Sequence, residues 1–197
     1  MIKSKIVLAS NNQGKIKEIN AMLAKTSFKV VAQSVYAIWD IEETGLTFVE
    51  NAIIKARHAC LHSGLPAIAD DSGLEVDYLQ GEPGIYSARY AGVEKNDQAN
   101  LEKLLHKLEG VPEAERTARF RCVIVYMRSA GDPAPLICQG TWEGRIAFEA
   151  KGENGFGYDP IFYVPDQQCH AAELTSDVKN NISHRAKALK QFVDQIK

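Results

Sequence analysis

The chain has 197 residues, 45% of them hydrophobic and 24% charged, with a formal net charge of -2 at pH 7. That length supports a packed core and one domain, and the composition is that of an ordinary soluble globular protein. The near-neutral charge excludes a nucleic-acid-binding surface spread over the whole molecule, so a polyanionic ligand must meet basic residues gathered locally. Cys60, Cys122, Cys138 and Cys169 show no short paired spacing, which argues against a zinc site or a disulfide framework. Residues 1–5 lack an apolar core and a cleavage signature, and no apolar run reaches membrane-spanning length. The expectation is a protein of the reducing cytoplasm with neither membrane nor nucleic acid as partner.

In chain order, Ile6, Val7, Leu8 and Ala9 predict a buried strand, followed at once by Ser10, Asn11, Asn12, Gln13, Gly14 and Lys15. Ile16, Ile19 and Leu23 then recur at helical spacing. Strand, glycine-containing loop and helix start form an anion site, because first-turn amides point at the anion and Lys15 adds a full charge. This is not a Walker A loop: the leading glycine is missing, and Ile16 stands where Ser or Thr would hold Mg2+. A plain capped helix explains the same residues.

A second strand over Phe28–Ala32 leads into a loop holding Asp40, Glu42 and Glu43. Thr47 and Glu50 then match a capping box, and Val49, Ala52, Ile53, Ala56 and Cys60 share one helix face before Gly64 stops it. Lys55 lies off that stripe, as a solvated lysine or a phosphate contact. Glu42 and Glu43 either favour the helix dipole or supply a metal ligand.

Ala67, Ile68 and Ala69 run into Asp70, Asp71, Ser72 and Gly73, a strong turn signal. Alternation keeps adjacent side chains of an extended strand on opposite faces. Asp70 and Asp71 therefore split into a reactive group and a brace, or bend together onto a hard cation such as Mg2+. An Asx-turn is the plain alternative. Leu74 to Asp77 alternate as a strand, and a turn at residues 81–84 leads to Tyr86, Arg89 and Tyr90. Leu101, Leu104, Leu105 and Leu108 predict an amphipathic helix capped by Asp97, and residues 120–127 and 136–140 two strands.

Residues 152–160 hold glycines in the order G-x-x-G-x-G, which is not the dinucleotide fingerprint. Glycines around Phe156 let its ring stand clear as a platform for a base, or the ring tucks into the core of a glycine-rich hairpin. Ser183 is a plausible cap for a last helix, with Ala186, Leu189, Phe192, Val193 and Ile196 as its buried stripe. His184 and Arg185 fall in its first turn, where the dipole disfavours positive charge, so they make more sense facing a ligand.

Five motifs occur together: Ser10-x-Asn12-x-x-Lys15, residues 70–74, residues 83–90, residues 155–160, and Ser183-His184-Arg185. In that set and order the sequence resembles the dITP/XTP pyrophosphatases, the family that includes the inosine triphosphate pyrophosphatases. The match runs from about residue 6 into the C-terminal helix. The resemblance implies an α/β protein with an elongated mixed β-sheet and flanking helices, forming two lobes around a central active-site cleft within one domain of residues 1–197. It implies a homodimer that uses Mg2+ to hydrolyse non-standard purine nucleoside triphosphates (ITP, dITP, XTP) to monophosphate and pyrophosphate.

Position by position, the resemblance assigns the triphosphate to Ser10, Asn11, Asn12, Gln13, Gly14, Lys15 and Lys55. Asp71 becomes general base and metal ligand, with Ser72 beside the substrate and Glu42 as the other ligand, although adjacent Glu43 leaves that register open. Phe156 stacks on the base, Gly157, Tyr158 and Asp159 shape its pocket, and Lys179, His184 and Arg185 complete the phosphate and base contacts. Asn11 stands where many relatives have glycine, and Cys169-His170 matches no pattern of the family. Two other classes remain: a phosphatase with an aspartyl nucleophile, for which the Asp-x-Asp-x-Thr spacing is absent, and a non-catalytic nucleotide sensor.

Overall fold

In the computed structural model the described residues are 3–24, 26–92 and 96–196, the side chains of Gln13 and Glu18 excepted. The strands are β1 (Ser4–Leu8), β2 (Phe28–Ala32), β3 (Ala67–Val76), β4 (Thr117–Met127), β5 (Leu136–Ile146), β6 (Phe162–Val164) and β7 (Cys169–His170). They form one sheet in the order β2-β1-β3-β4-β5-β6-β7. β1 is parallel to β2 and β3, while β6 is antiparallel to β5 and β7, so the sheet is mixed as expected. The helices are α1 (Gln13–Met22), α2 (Phe48–Ser63), α3 (Asp97–Lys107), α4 (Ser176–Ile182) and α5 (His184–Gln195).

The chain divides into two compact units, Met1–Asp71 with Cys122–Gly140 and Lys187–Lys197, and Ser72–Arg121 with Thr141–Ala186. The first has a core on each face of its strands. On one face Ile6, Leu8, Val30, Ile68 and Ile124 pack with Ile19 of α1, Leu23 at its C-terminal cap, and Leu189 and Phe192 of α5. On the other, Val7, Ala67, Ala69, Val123 and Val125 pack with Ala52, Ala56 and Cys60 of α2. Val7 against Ile6 and Leu8, and Ala67 and Ala69 against Ile68, follow the two-residue period of strands buried on both faces. Ile6, Leu8 and Ile68 are fully buried, each contributing ~1.5–3 kcal/mol. In the second unit Leu74, Val76, Leu101, Leu104, Phe120, Trp142, Ile146 and Phe162 form one core.

Three departures from the sequence reading have physical causes. β3 is one ten-residue strand that runs straight through Asp70, Asp71, Ser72 and Gly73, so neither a bend nor an Asx-turn forms there. Leu74 and Val76 are fully buried, and keeping both in the core outweighs the local turn propensity. β4 starts earlier and β5 ends later than expected because their polar residues belong to the alternation. Arg119 pairs with Asp77 at 2.7 Å and with Glu143 at 3.0 Å, while neighbouring Ala118 is fully buried. The cap of α3 is Asn96, whose side chain accepts from the Ala99 amide at 3.0 Å, and Asp97 is the first helical residue.

Candidate active site

In the first unit, the loop after β1 closes on itself before α1 begins. The Asn12 amide donates to Ser10 Oγ at 3.2 Å, and Asn12 Oδ1 accepts from the Lys15 amide at 3.1 Å, capping α1. Asn11 Oδ1 accepts from the Ser34 amide at 3.1 Å, tying the loop to the turn Gln33–Tyr36. Asn11 has an ordinary negative φ, so the absence of glycine there costs nothing in backbone strain. The remaining first-turn amides of α1 have no acceptor inside a helix. Of Gln13, whose side chain lies outside the described set, only the backbone place at the start of α1 is given.

Lys15 Nζ reaches both oxygens of Asp70, at 2.8 and 2.9 Å. Lys55 Nζ bridges Glu43 Oε1 at 2.9 Å and Asp71 Oδ1 at 2.6 Å. The straight strand explains this division. Over residues 67–71 the even positions face α1 and the odd positions face α2, so Asp70 meets the lysine of one helix and Asp71 the lysine of the other. Lys55 is no surface lysine: its side chain is 16% exposed.

The loop that carries Glu43 is pinned to the start of α2. Thr47 Oγ accepts from the Glu50 amide at 3.2 Å, and Glu50 Oε2 accepts from the Leu46 amide at 2.8 Å. Asn51 Oδ1 accepts from the Gly45 amide at 2.8 Å. A Cβ on Gly45 would stand 2.6 Å from Glu50 Cβ and 2.7 Å from Asn51 Oδ1, so this approach is open to glycine alone. Glu42, the ligand named from sequence, is exposed, and it is its neighbour Glu43 that meets Lys55.

Burial pushes the Asp71 carboxyl up to about 6, with Glu43 and Asp70 adding to the rise and Lys55 opposing it. Lys55 is pulled down by burial, but Asp71, Asp70 and Glu43 outweigh that and hold its ammonium above the ordinary lysine value. Three carboxylates and two ammonium groups thus share one region of this unit.

The donor set is oxygen-only, which suits a hard cation such as Mg2+. Among the described residues no three His, Cys, Asp or Glu side chains converge to hold an ion by themselves. Asp71 with Glu43 fits Mg2+ only as part of a coordination sphere, the usual case for an ion that keeps waters and takes substrate phosphates.

In the second unit, Phe156 is 59% exposed, so its ring stands clear and the tucked-in alternative does not hold. Lys179 Nζ lies 5.1 Å and the Arg185 guanidinium 5.8 Å from the ring centroid. Asp159 is turned inward: its Oδ2 accepts from the Phe156 amide at 2.8 Å and from Lys179 Nζ. A Cβ on Gly155 would come 2.1 Å from that Oδ2, which explains a glycine there. The buried Tyr158 hydroxyl donates to Ser87 O at 2.8 Å, and burial raises its phenol above the ordinary range.

Asp159 and the glycines beside it thus form a frame that carries Phe156 and Lys179. His184 is buried and stacks on Phe120 with centroids 4.8 Å and planes 13° apart, so its ring is fixed by the aromatic core. Arg185 is buried beside it at the start of α5. Ser183 Oγ accepts from the Ala186 amide at 3.2 Å, as its capping role requires. Ser72 is half-buried on β3.

Sequence reasoning missed His170, whose Nδ1 donates to Pro160 O at 2.6 Å and braces the far end of the loop. Nothing in the two-residue strand Cys169–His170 signals this. It also left Asp70 undecided, although continuing the alternation to Leu74 and Val76 would have separated it from Asp71.

Comparison with known proteins covers nearly the whole chain. A sequence model of the Ham1 family matches residues 6–195. The dITP/XTP pyrophosphatase of Vibrio parahaemolyticus is 62% identical over 98% of this chain and 96% of its own. That of Photobacterium profundum is 61% identical over 98% of each. The solved structure of a HAM1 protein from Coxiella burnetii superposes with a TM-score of 0.94, at 52% identity and 98% coverage of both chains.

Proposed function

The chain belongs to the Ham1 family, and on that premise we propose that it hydrolyses non-standard purine nucleoside triphosphates (ITP, dITP and XTP) to the monophosphate and pyrophosphate. It is a nucleoside triphosphate pyrophosphohydrolase. The observation that carries the chemistry is Asp71: a buried carboxylate pushed up to about 6 and held 2.6 Å from Lys55. A base serves best when its pKa lies near the working pH, and this shift brings an aspartate close to that condition while leaving it mainly ionised at pH 7.

Asp71 orients the attacking water and takes its proton as water adds in line to the α-phosphorus and pyrophosphate leaves. Charge grows on the phosphate oxygens, and preorganised cations offset it without reorganising. Lys15, Lys55 and the first-turn amides of α1, in the loop of Ser10, Asn11, Asn12, Gln13 and Gly14, are assigned to the phosphates. Asp71 with the Glu42–Glu43 pair, Glu43 being the member at Lys55, would hold Mg2+. When bound, that ion supplies Lewis-acid polarisation and charge neutralisation at the phosphates.

The purine is assigned to Phe156, with Lys179, His184 and Arg185 around it and Gly157, Tyr158, Asp159 and Ser72 in support. Hypoxanthine and xanthine present a 6-oxo acceptor where adenine presents an amino donor. N–H donors aimed at that edge are left unpaired by ATP, a mismatch that discriminates by about 10⁴–10⁵-fold. We take both units as one functional domain of 1–197, acting as a homodimer in the cytoplasm. Cys60, Cys122, Cys138 and Cys169 are all free thiols, and among the described residues no helix is long and apolar enough to cross a membrane.

The test is turnover of a nucleoside triphosphate panel by purified protein with and without Mg2+, with products resolved. Pyrophosphate from ITP, dITP and XTP, weak activity on ATP and GTP, and dependence on Mg2+ support the reading. Orthophosphate release points to a phosphatase instead. Tight ITP binding without turnover points to a sensor.

A further inference from the structure

We propose, resting on the reading above, that Asp97 is a positioning residue for the purine. Its carboxylate holds the Gly157 amide and so fixes the peptide that carries the Phe156 ring. Asp97 opens α3, and its Oδ2 accepts from Gly157 N at 2.8 Å across 60 residues of sequence. The other end of the same peptide is held too, with Phe156 O accepting from the Asp159 amide at 3.3 Å. A trans peptide points its N–H and C=O to opposite sides. The two bonds therefore select one orientation of the plane, and a flip loses both.

The peptide needs that restraint. Gly157 has φ +61, and a glycine passes between positive and negative φ at little steric cost. Packing does not supply the restraint on the α3 side, where the loop borders a pocket of about 290 Å³ lined by Asp97, Leu101, Gly155, Phe156 and Gly157.

α3, by contrast, is firmly set. Leu104 is fully buried and Leu101 nearly so. Asn100, 1% exposed, accepts from the Ala91 amide at 2.6 Å and donates to Ala88 O at 3.3 Å. The latch is a carboxylate on a fixed post that holds the N–H side of a glycine peptide whose C=O side is held by Asp159.

An acidic residue in a first helical turn also favours the helix dipole, so the test must separate helix stability from loop placement. Asp97→Ala, Asp97→Asn and Phe156→Ala are compared singly, and Asp97→Ala is also combined with Phe156→Ala. For each, ITP kinetics and Gly157 amide exchange in the nucleotide-free protein are measured. Asp97→Ala is expected to raise KM about three- to tenfold, the size of one hydrogen bond, leave kcat unchanged and accelerate Gly157 exchange. Asp97→Asn, which keeps an oxygen acceptor, recovers most of the loss, and in the Phe156→Ala background Asp97→Ala has no further effect on KM. An equal effect in both backgrounds, or unchanged KM with unchanged exchange, overturns the proposal. If the wild-type protein does not hydrolyse ITP, the enzymatic reading falls. Gly157 exchange alone then decides the latch: acceleration in Asp97→Ala supports it, and no acceleration overturns it.

Discussion

Removing the Phe156 ring separates ligand binding from folding, because the ring lies outside the core. The ring is 59% exposed, so Phe156→Ala vacates no core volume, and its stability effect should stay within about 0.5 kcal/mol. Stacking a base on an aromatic ring contributes ~1–3 kcal/mol by alanine substitution. At about 1.4 kcal/mol per factor of ten, the same range predicts a fall in kcat/KM for ITP of about 5- to 150-fold. The backbone frame should survive, because Asp159 grips the Phe156 amide at 2.8 Å and not its side chain. Steady-state kinetics on ITP, read beside thermal unfolding, check both halves. Phe156→Trp, which keeps a stacking face, should retain most activity. Unchanged kcat/KM in Phe156→Ala would refute the platform, and a large loss of stability would show that the ring serves the fold.

Asp71→Asn should lower kcat by about 10²–10⁴-fold, with Phe156-dependent nucleotide binding, followed by fluorescence or calorimetry, still present. Lys55→Met strands Glu43 and Asp71 without their shared cation and should destabilise the protein by about 3 kcal/mol, measured by denaturant unfolding at pH 7. A third prediction concerns acid. The Arg128 side chain and the Arg128 and Ala134 amides hold the Asp132 carboxyl well below the usual range. Because its folded value is depressed, its stabilising contribution is complete above the unfolded value of about 3.9 and fades as pH falls through the folded one. Unfolding curves of the wild type and Asp132→Asn should therefore differ most near neutral pH and converge in acid. A gap that stays constant down to pH 2 would contradict this.

How far the sequence carries depends on whether a feature repeats. The alternation through Ile6, Val7 and Leu8, the capped helix from Thr47 to Gly64, and the stripe of Leu189 and Phe192 repeat a period that burial imposes, and each is found where the pattern put it. At Asp70 in β3 a local turn signal of four residues competes with a core demand visible only from Leu74 and Val76 onward, and the core demand wins. α4, β6 and β7 are 7, 3 and 2 residues long, too short for any period to show.

The site divides in the same way. Lys15, the Asp70–Asp71 pair and Phe156 stand out by residue type and neighbours, and only the resemblance singles out Asp71 within its pair. That Glu43 meets Lys55 depends on how Gly45 lets the loop approach Asn51, which no spacing rule records. Asp97 holding Gly157 is a contact across 60 residues, beyond the reach of local pattern.

Hydrolysis of ITP in water enriched in ¹⁸O tests most directly where the attack occurs. Attack at the α-phosphorus, the role proposed for Asp71, places the label in inosine monophosphate and leaves pyrophosphate unlabelled. Label in pyrophosphate or in free orthophosphate, with unlabelled monophosphate, would contradict it.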